Sequence, residues 1–568
     1  MKPLALTILM TISVLPFLQG QKDLFSGYFR SPVDYDYTIA GNFCELRETH
    51  FHTGIDIKPA GNDRIFSIGE GYISRIKVDA GGYGNVLYID HPQAGFTSVY
   101  AHLDDFSPVI SEVVRLRQLE EEPYEVDFHP APGQIRVVKG DMIGFMGNTG
   151  YSFGKHLHFE IRETKSEKPV NPLVFGMKLK DNIPPVITSV AIHGLNADHS
   201  KTADIRLAVG DTPGDVLDFP DPVLVDADYV GIAFQAYDKA DGSNNKLNIF
   251  GVHLYVNDSL VFGYHLDKVS FSQNRQVTGF VDFAVRQEEK KTYSLCYKLP
   301  GNTLDFLSKY GNAIITLSPE TNTRFRLELE DYFKNRKTIT FSVRKNPSFI
   351  KTPRPYCENW VEQGTSQHFN EANLTLEIEK TSMYRGFCPE IGRITQEGYE
   401  TRYRIHKTTE PLKSGAEIHL TPEYPKPLLA SKAIVASVDN NGKKLNHGGR
   451  WKNGRLNVRI RQFGTYFIDY DTIAPEIRKL DFSTSIVSKR KFRFRVTDDM
   501  PTSGPEANDL SYKVWIDGKF VISPYSLKSK VLEIPLDDIT TGDHTLKITA
   551  TDHSGNTGVF TSSFVKKS

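Results

Sequence analysis

Two short motifs concentrate the side chains that could do chemistry. His52-Thr53-Gly54-Ile55-Asp56 sets an imidazole and a carboxylate four residues apart, and His156-Leu157-His158 sets two imidazoles two apart. Side chains on an extended chain alternate between faces. Leu157, Phe159 and Ile161 then turn into a core, while His156 and His158 stand side by side on the opposite face. The same period puts His52 and Asp56 on one face, and Gly54 beside β-branched neighbours disfavours a helix there. Such nitrogen and oxygen donors suit zinc, whose catalytic sites use three protein ligands and keep a fourth position for water. Two histidines and one aspartate meet that requirement, and the bound water then has a pKa of about 7. Imidazoles left over can orient the water or stabilise an oxyanion. Each motif alone is commonplace; together they point to metal-dependent hydrolysis.

The elements around these motifs read as β. "GYISRIKVD", "NVLYIDH" and "HLHFEIR" alternate in the first third, and "RLELED", "KTITFSV", "KVWIDGKFV" and "HTLKITATD" do so further on, each bounded by Gly, Asn, Asp or Pro. The one helical period spans Val109 to Glu122. His91 and His129 fall in turn-like sequence and are expected in solvent. His50 lies two residues before His52 and is its rival as ligand. Gly81, Gly82, Gly84, Gly147 and Gly150 suit turns and close strand approach. A phosphate loop would require a strand-to-helix setting that is missing. Arg47 reads as a surface or substrate-facing residue, and Cys44 as a small buried one.

Residues about 40 to 176 resemble the lysostaphin/LytM-type zinc peptidase family, marked by His-x-x-x-Asp followed by His-x-His. The resemblance runs through "RETHFHTGIDIKP", "GYGNVLYIDH", "SVYAHLDDFSP", "VVKGDMIGFMGNTGYSFGKHLHFEIR" and the closing "PVNPLVF". It implies a compact antiparallel β domain with one zinc ion held by His52, Asp56 and His158. It also implies His102 and His156 as the catalytic pair. No cofactor other than the metal is expected. Ser111 to Pro132 is inserted relative to the compact family core; it either caps the substrate groove or decorates the surface. The implied activity is a metalloendopeptidase acting on peptidoglycan stem peptides or cross-links. The rivals are a non-catalytic wall-binding or amidase-regulating scaffold on the same fold, and a zinc peptidase with a protein substrate. Scaffolds of that kind lose metal ligands, whereas all five positions are present here.

At 568 residues the chain exceeds one hydrophobic core. Lys2 followed by the apolar run Pro3 to Leu18 reads as a signal peptide over residues 1–20, shorter than a membrane span. Domains are expected at 21–180 (peptidase), 181–346 (Ig-like with insertions), 347–470 (β-rich, without assignable chemistry) and 471–568 (Ig-like). The two Ig-like units carry a weak repeat. "IAFQAYD" ending at Asp238 matches "FRFRVTD" ending at Asp498, and Asp331 to Asn335 matches Asp552 to Asn556. Asp/Asn turns of this kind fit sandwich hairpins. Of four cysteines, Cys357 and Cys388 are the most plausible pair. Lys plus Arg (68) balances Asp plus Glu (69), which argues against a nucleic-acid partner. The expectation is thus a mostly β protein, exported to the periplasm or cell envelope or beyond it. It would have no transmembrane segment once the signal is removed, and its Ig-like tail would contact the wall or an envelope protein.

Overall fold

The structure, a computed structural model, describes residues 27–209, 216–351, 353, 356–424, 426–439, 441–502 and 510–567. The signal segment expected at 1–20 lies outside them. Eleven strands build the first sheet: β1 (Ile39–Gly41), β2 (Ile55–Ile57), β3 (Arg64–Phe66), β4 (Gly71–Val78), β5 (Asn85–His91), β6 (Phe96–Phe106), β7 (Val126–Phe128), β8 (Arg136–Val137), β9 (Met142–Met146), β10 (Leu157–Glu163) and β11 (Pro169–Val170). Their central order is β1-β2-β10-β6-β5-β4-β7, all antiparallel. Alternation sends Leu157, Phe159 and Ile161 of β10 into the core, each with no exposed surface. Strand β2 is flanked by β1 and β10, and β10 by β2 and β6, so the motif-bearing strands are neighbours.

Helix α1 (Pro108–Glu121) opens on a proline, whose missing N–H costs nothing at a helix start, and closes at Glu122 in the left-handed region. Its buried residues Ile110 and Val114 join the first core. The segment after it turns outward: Tyr124 stacks on Tyr512, 6.4 Å between ring centroids, and Lys513 pairs with Glu122 at 3.6 Å. The inserted segment is therefore the seat on which the last part of the chain rests.

Beyond residue 180 three further pairs of sheets follow. Over 186–345, one sheet is built around Val186–Leu195 and Tyr229–Tyr237, the other around Gly251–Val256, Thr323–Glu330 and Arg336–Lys345. The last pair repeats the plan with Glu476–Asp481 and Lys491–Thr497 against Ser511–Ile516, Gly542–Thr551 and Thr557–Lys566. Each copy also adds one parallel strand to its final strand: Val216–Val225 in the first and Ser485–Ile486 in the second. The extra length of the first copy lies partly between Val186–Leu195 and Tyr229–Tyr237, where the strand Lys201–Ala208 is added, and partly in the segment between Ser259–His265 and Thr323–Glu330. The latter segment forms a 3-10 turn (Phe271–Gly279) and helix α2 (Phe283–Glu289). Between the copies, two five-stranded sheets over 367–470 enclose their own core, and Cys357 is bonded to Cys388.

The first sheet and the first sandwich share one continuous core. Phe51 has no exposed surface and meets Phe280 at 5.6 Å and Phe306 at 5.9 Å, both from the later segment. Burying such a ring stabilises by roughly 1.5–3 kcal/mol. Tyr384 bonds Thr278 at 3.0 Å, Asn446 bonds Pro501 O at 3.3 Å, and the 510s return to Tyr124. The chain thus closes on itself. One expectation fails: His91 is fully buried rather than solvated. Its Nδ1 bonds Glu70 O and its Nε2 bonds Ser98 Oγ, both at 2.8 Å, which replaces the water it gives up. No helix among the described residues is long and apolar enough to cross a membrane.

Candidate metal centre

Three adjacent strands bring the motifs together. Asp56 on β2 lies directly opposite His158 on β10, and His158 lies opposite Ala101 on β6, one residue before His102. His52 enters from the turn before β2. His52 Nε2, Asp56 Oδ1 and His158 Nδ1 form a triangle with sides of 2.9, 3.0 and 3.0 Å. Ligands about 2.0 Å from a tetrahedral zinc ion lie about 3.3 Å apart, so the donors stand close to ligating positions. Asp56 Oδ2 is taken by Arg47 Nη2 at 2.9 Å, which leaves Oδ1 as the free donor. Arg47 is therefore an orienting residue of the centre rather than surface decoration. His50 is not drawn in; its Nδ1 faces Thr49 Oγ1 at 3.3 Å.

Each of the four histidines has its far nitrogen pinned, and the partner dictates the tautomer. His52 Nδ1 donates to Asn42 O at 2.8 Å, and His158 Nε2 to Glu160 Oε1 at 2.8 Å. His102 Nδ1 donates to Thr149 O at 2.9 Å, and His156 Nδ1 to Gly154 O at 2.8 Å. The remaining nitrogens thereby face one small volume, as lone pairs once His158 Nδ1 has given up its proton. The rings of His102 and His156 are 4.9 Å apart, and His156 Nε2 lies 3.5 Å from Asp56 Oδ1.

His102 holds φ at +60°, rare for a residue with a Cβ and a form of local strain that clusters at functional sites. Its backbone N–H donates to Tyr83 O at 2.9 Å, and the β5–β6 register shifts beside it, between Asn85 and Leu87. The loop that receives its ring relies on two glycines. A Cβ on Gly84 would lie 2.4 Å from Thr149 Oγ1, and one on Gly150 would lie 2.3 Å from Gly84 N. Only bare backbone lets these turns approach closely enough to put Thr149 O under His102.

The electrostatics follow from crowding in a dry site. Burial raises the Asp56 carboxyl, but His52 and His158 outweigh it and hold the group well below the usual carboxylate range. Burial lowers His158, yet its bonds to Asp56 and Glu160 prevail and lift it to about 9. Burial, with His158 and His156 nearby, brings His102 down to about 3, and burial also lowers His156. Both are neutral near pH 7. The buried thiol of Cys44 is pushed well up by burial, which leaves it inert.

Glu160 is the functional residue that motif reading missed. It has no exposed surface, and it accepts from Tyr83 and Thr53 at 2.6 Å and from Arg162 Nε at 2.6 Å as well as from His158. Its signal was available: two residues after His158, alternation puts it on the same face. Donor chemistry, monodentate aspartate and fixed tautomers together fit a divalent transition metal.

Comparison with known proteins agrees with this geometry. Residues 50–118 and 130–172 match Peptidase family M23, and residues 358–471 match the Zu5-like domain. The interval between the two M23 segments falls within the insertion. The DD-carboxypeptidase/endopeptidase Mpg of Neisseria meningitidis and of Neisseria gonorrhoeae is 34% identical over 128 residues, 22% of this chain and 23% of the Mpg sequence. An uncharacterized metalloprotease of Buchnera aphidicola is 32% identical over 121 residues, 21% of this chain and 25% of its own. A zinc-containing peptidase from Vibrio cholerae shares 27% identity over 25% of this chain and 38% of its own, with a TM-score of 0.19. The chain thus spans about a quarter of the length of these curated relatives, and the stretch it shares is an M23 peptidase domain.

Proposed function

Starting from that M23 peptidase domain, we propose that the protein is an exported zinc metalloendopeptidase that hydrolyses peptide cross-links of peptidoglycan. The observation that carries this reading is the donor triangle of His52 Nε2, Asp56 Oδ1 and His158 Nδ1, with every far nitrogen pinned. His52, Asp56 and His158 would hold the ion. When bound, zinc supplies Lewis acidity sufficient to make water a nucleophile near neutral pH. His102 and His156, neutral and with Nε2 directed inward, would between them take a proton from water and return it to the departing amine. Asn42 O, Thr149 O and Gly154 O keep the imidazoles from rotating, so each proton moves at a defined atom.

The substrate rests on the Mpg resemblance, and export rests on the N-terminal apolar run together with the Cys357–Cys388 bond, which suits an oxidising compartment. Retention of all five residues in one volume disfavours a non-catalytic scaffold. The test is digestion of purified peptidoglycan, with His158→Ala and a zinc chelator as controls and products read by mass spectrometry. Zinc-dependent release of peptide fragments, lost in the variant, is expected. Release from a protein substrate but from no wall type would move the assignment to a protein-directed peptidase. No release from either would overturn the enzyme reading.

A further inference from the structure

The two sandwiches carry the same acidic corner, and in the first it is closed tightly. Asp181 sits in the linker leaving the peptidase domain, Asp238 just after the strand Tyr229–Tyr237, and Asp331 just after Thr323–Glu330. One carboxylate oxygen from each lies within 4.8 Å of the others, and all three residues are buried. The linker and one strand from each sheet therefore converge on one point.

The second sandwich repeats the frame. Asn335 Nδ2 donates to Asp331 Oδ2 at 2.5 Å and to Asp181 O at 3.2 Å; Asn556 Nδ2 donates to Asp552 Oδ2 at 2.8 Å and to Asp471 O at 3.0 Å. Asp498 takes the place of Asp238. In both copies the corner marks where the chain enters a sandwich from the preceding unit.

Acidic residues gather on many proteins without purpose, and here a separate observation decides the matter. Asp238, one of the three, is only 4% exposed, and its Oδ1 is buried with no hydrogen-bond partner. A buried carboxylate oxygen left without a partner is costly. Outside the candidate metal centre, the two histidine–carboxylate clusters of the described residues are already neutralised. Glu330 is bonded by Lys334 and Arg336, and Asp282 by Lys201. No basic side chain pairs with Asp181, Asp238 or Asp331 among the described residues.

We propose that Asp181, Asp238 and Asp331 form a binding site for a hard divalent cation of the calcium class, which ties the linker to both sheets of the first sandwich. An all-oxygen donor set with three carboxylates suits Ca2+ and excludes the soft metals that favour nitrogen or sulfur. Backbone carbonyls and water complete the six to eight ligands such an ion takes. Without the ion, burial and mutual repulsion raise Asp181 to about 7 and Asp238 to about 8, so protons hold the corner together in its place. The site is independent of the zinc centre and stands whether or not the peptidase reading does.

The test is a Ca2+ titration of the full chain at pH 8, with zinc held constant and no chelator, read by melting temperature and by Tb3+ luminescence. The expected result is a rise in melting temperature saturating at about 10⁻⁴ to 10⁻³ M Ca2+, the range of extracellular modules. Asp238→Asn should remove that rise and displaceable Tb3+ emission at this corner, while raising the melting temperature of the ion-free protein by relieving repulsion. The second readout shows that the variant folds. Asp331→Asn should likewise abolish the Ca2+ response. A wild-type melting temperature and Tb3+ signal indifferent to Ca2+ up to about 5 mM, or a response that survives both substitutions, would overturn the proposal.

Discussion

Asn42 and Asn248, one in the peptidase domain and one in the sandwich that follows it, bond each other reciprocally: Asn42 Nδ2 donates to Asn248 O at 2.7 Å, and Asn248 N donates to Asn42 Oδ1 at 2.9 Å. Asn248 Nδ2 also donates to Cys44 O at 2.8 Å. Because Asn42 O is what His52 Nδ1 donates to, the sandwich holds a candidate metal ligand at one remove.

Asn42→Ala should therefore weaken zinc binding without touching the metal, because both bonds between the two residues run from the Asn42 side chain to the Asn248 backbone. Loss of one such hydrogen bond, about 1 kcal/mol, corresponds to roughly a fivefold drop in affinity. Competition against a chromophoric chelator measures it, and an unchanged affinity would show that the Asn42 carbonyl holds His52 without help from the sandwich.

Glu160→Gln should have a larger effect. Replacing the carboxylate that accepts from His158 Nε2 removes the charge that orients and polarises the ligand, and losses of about 10–100-fold in metal affinity are expected. Circular dichroism would check that the buried ion pair with Arg162 has not simply been exchanged for local unfolding. Wild-type affinity in a folded variant would reduce Glu160 to a packing residue.

Zinc affinity should depend on pH in a stated direction. In the metal-free centre His158 keeps its proton up to about 9, so at neutral pH binding must expel it. Affinity should rise about tenfold per pH unit from pH 6.5 toward 9 and then level off. A flat profile across that window would mean that Nδ1 of His158 is already bare.

Tyr124→Ala should loosen the return of the last sandwich to helix α1. The stacked pair with Tyr512 contributes about 0.5–1.5 kcal/mol beyond the area it buries. Faster tryptic cleavage at Arg115 and Arg117 would register the loss, and an unaltered cleavage rate would show that the Lys513–Glu122 pair suffices.

Much of the centre is legible from strand alternation. That period alone puts His52 with Asp56 and His156 with His158, and it sends Leu157, Phe159 and Ile161 inward. His102 is not reachable this way: a register shift and a left-handed backbone aim its ring, and only the family resemblance pointed to it. Asn248 lies 206 residues from Asn42 and carries no local mark. His91 misled because a turn-like sequence says nothing of what folds over it. The Asp-x-x-x-Asn repeat was visible as turn chemistry, but the convergence of Asp181, Asp238 and Asp331 depends on two sheets closing on one linker.

Phe51, seated on Phe280 and Phe306 immediately before His52, bears on how this protein can be divided. A fragment ending near residue 180 would keep every ligand yet leave Phe51 without its cover and Asn42 without Asn248. The first sandwich is in that sense a second half of the body that carries the candidate metal centre, not an exchangeable appendage. Gene shuffling that swapped it for a foreign binding module would inherit an unanchored metal ligand and a sticky apolar face.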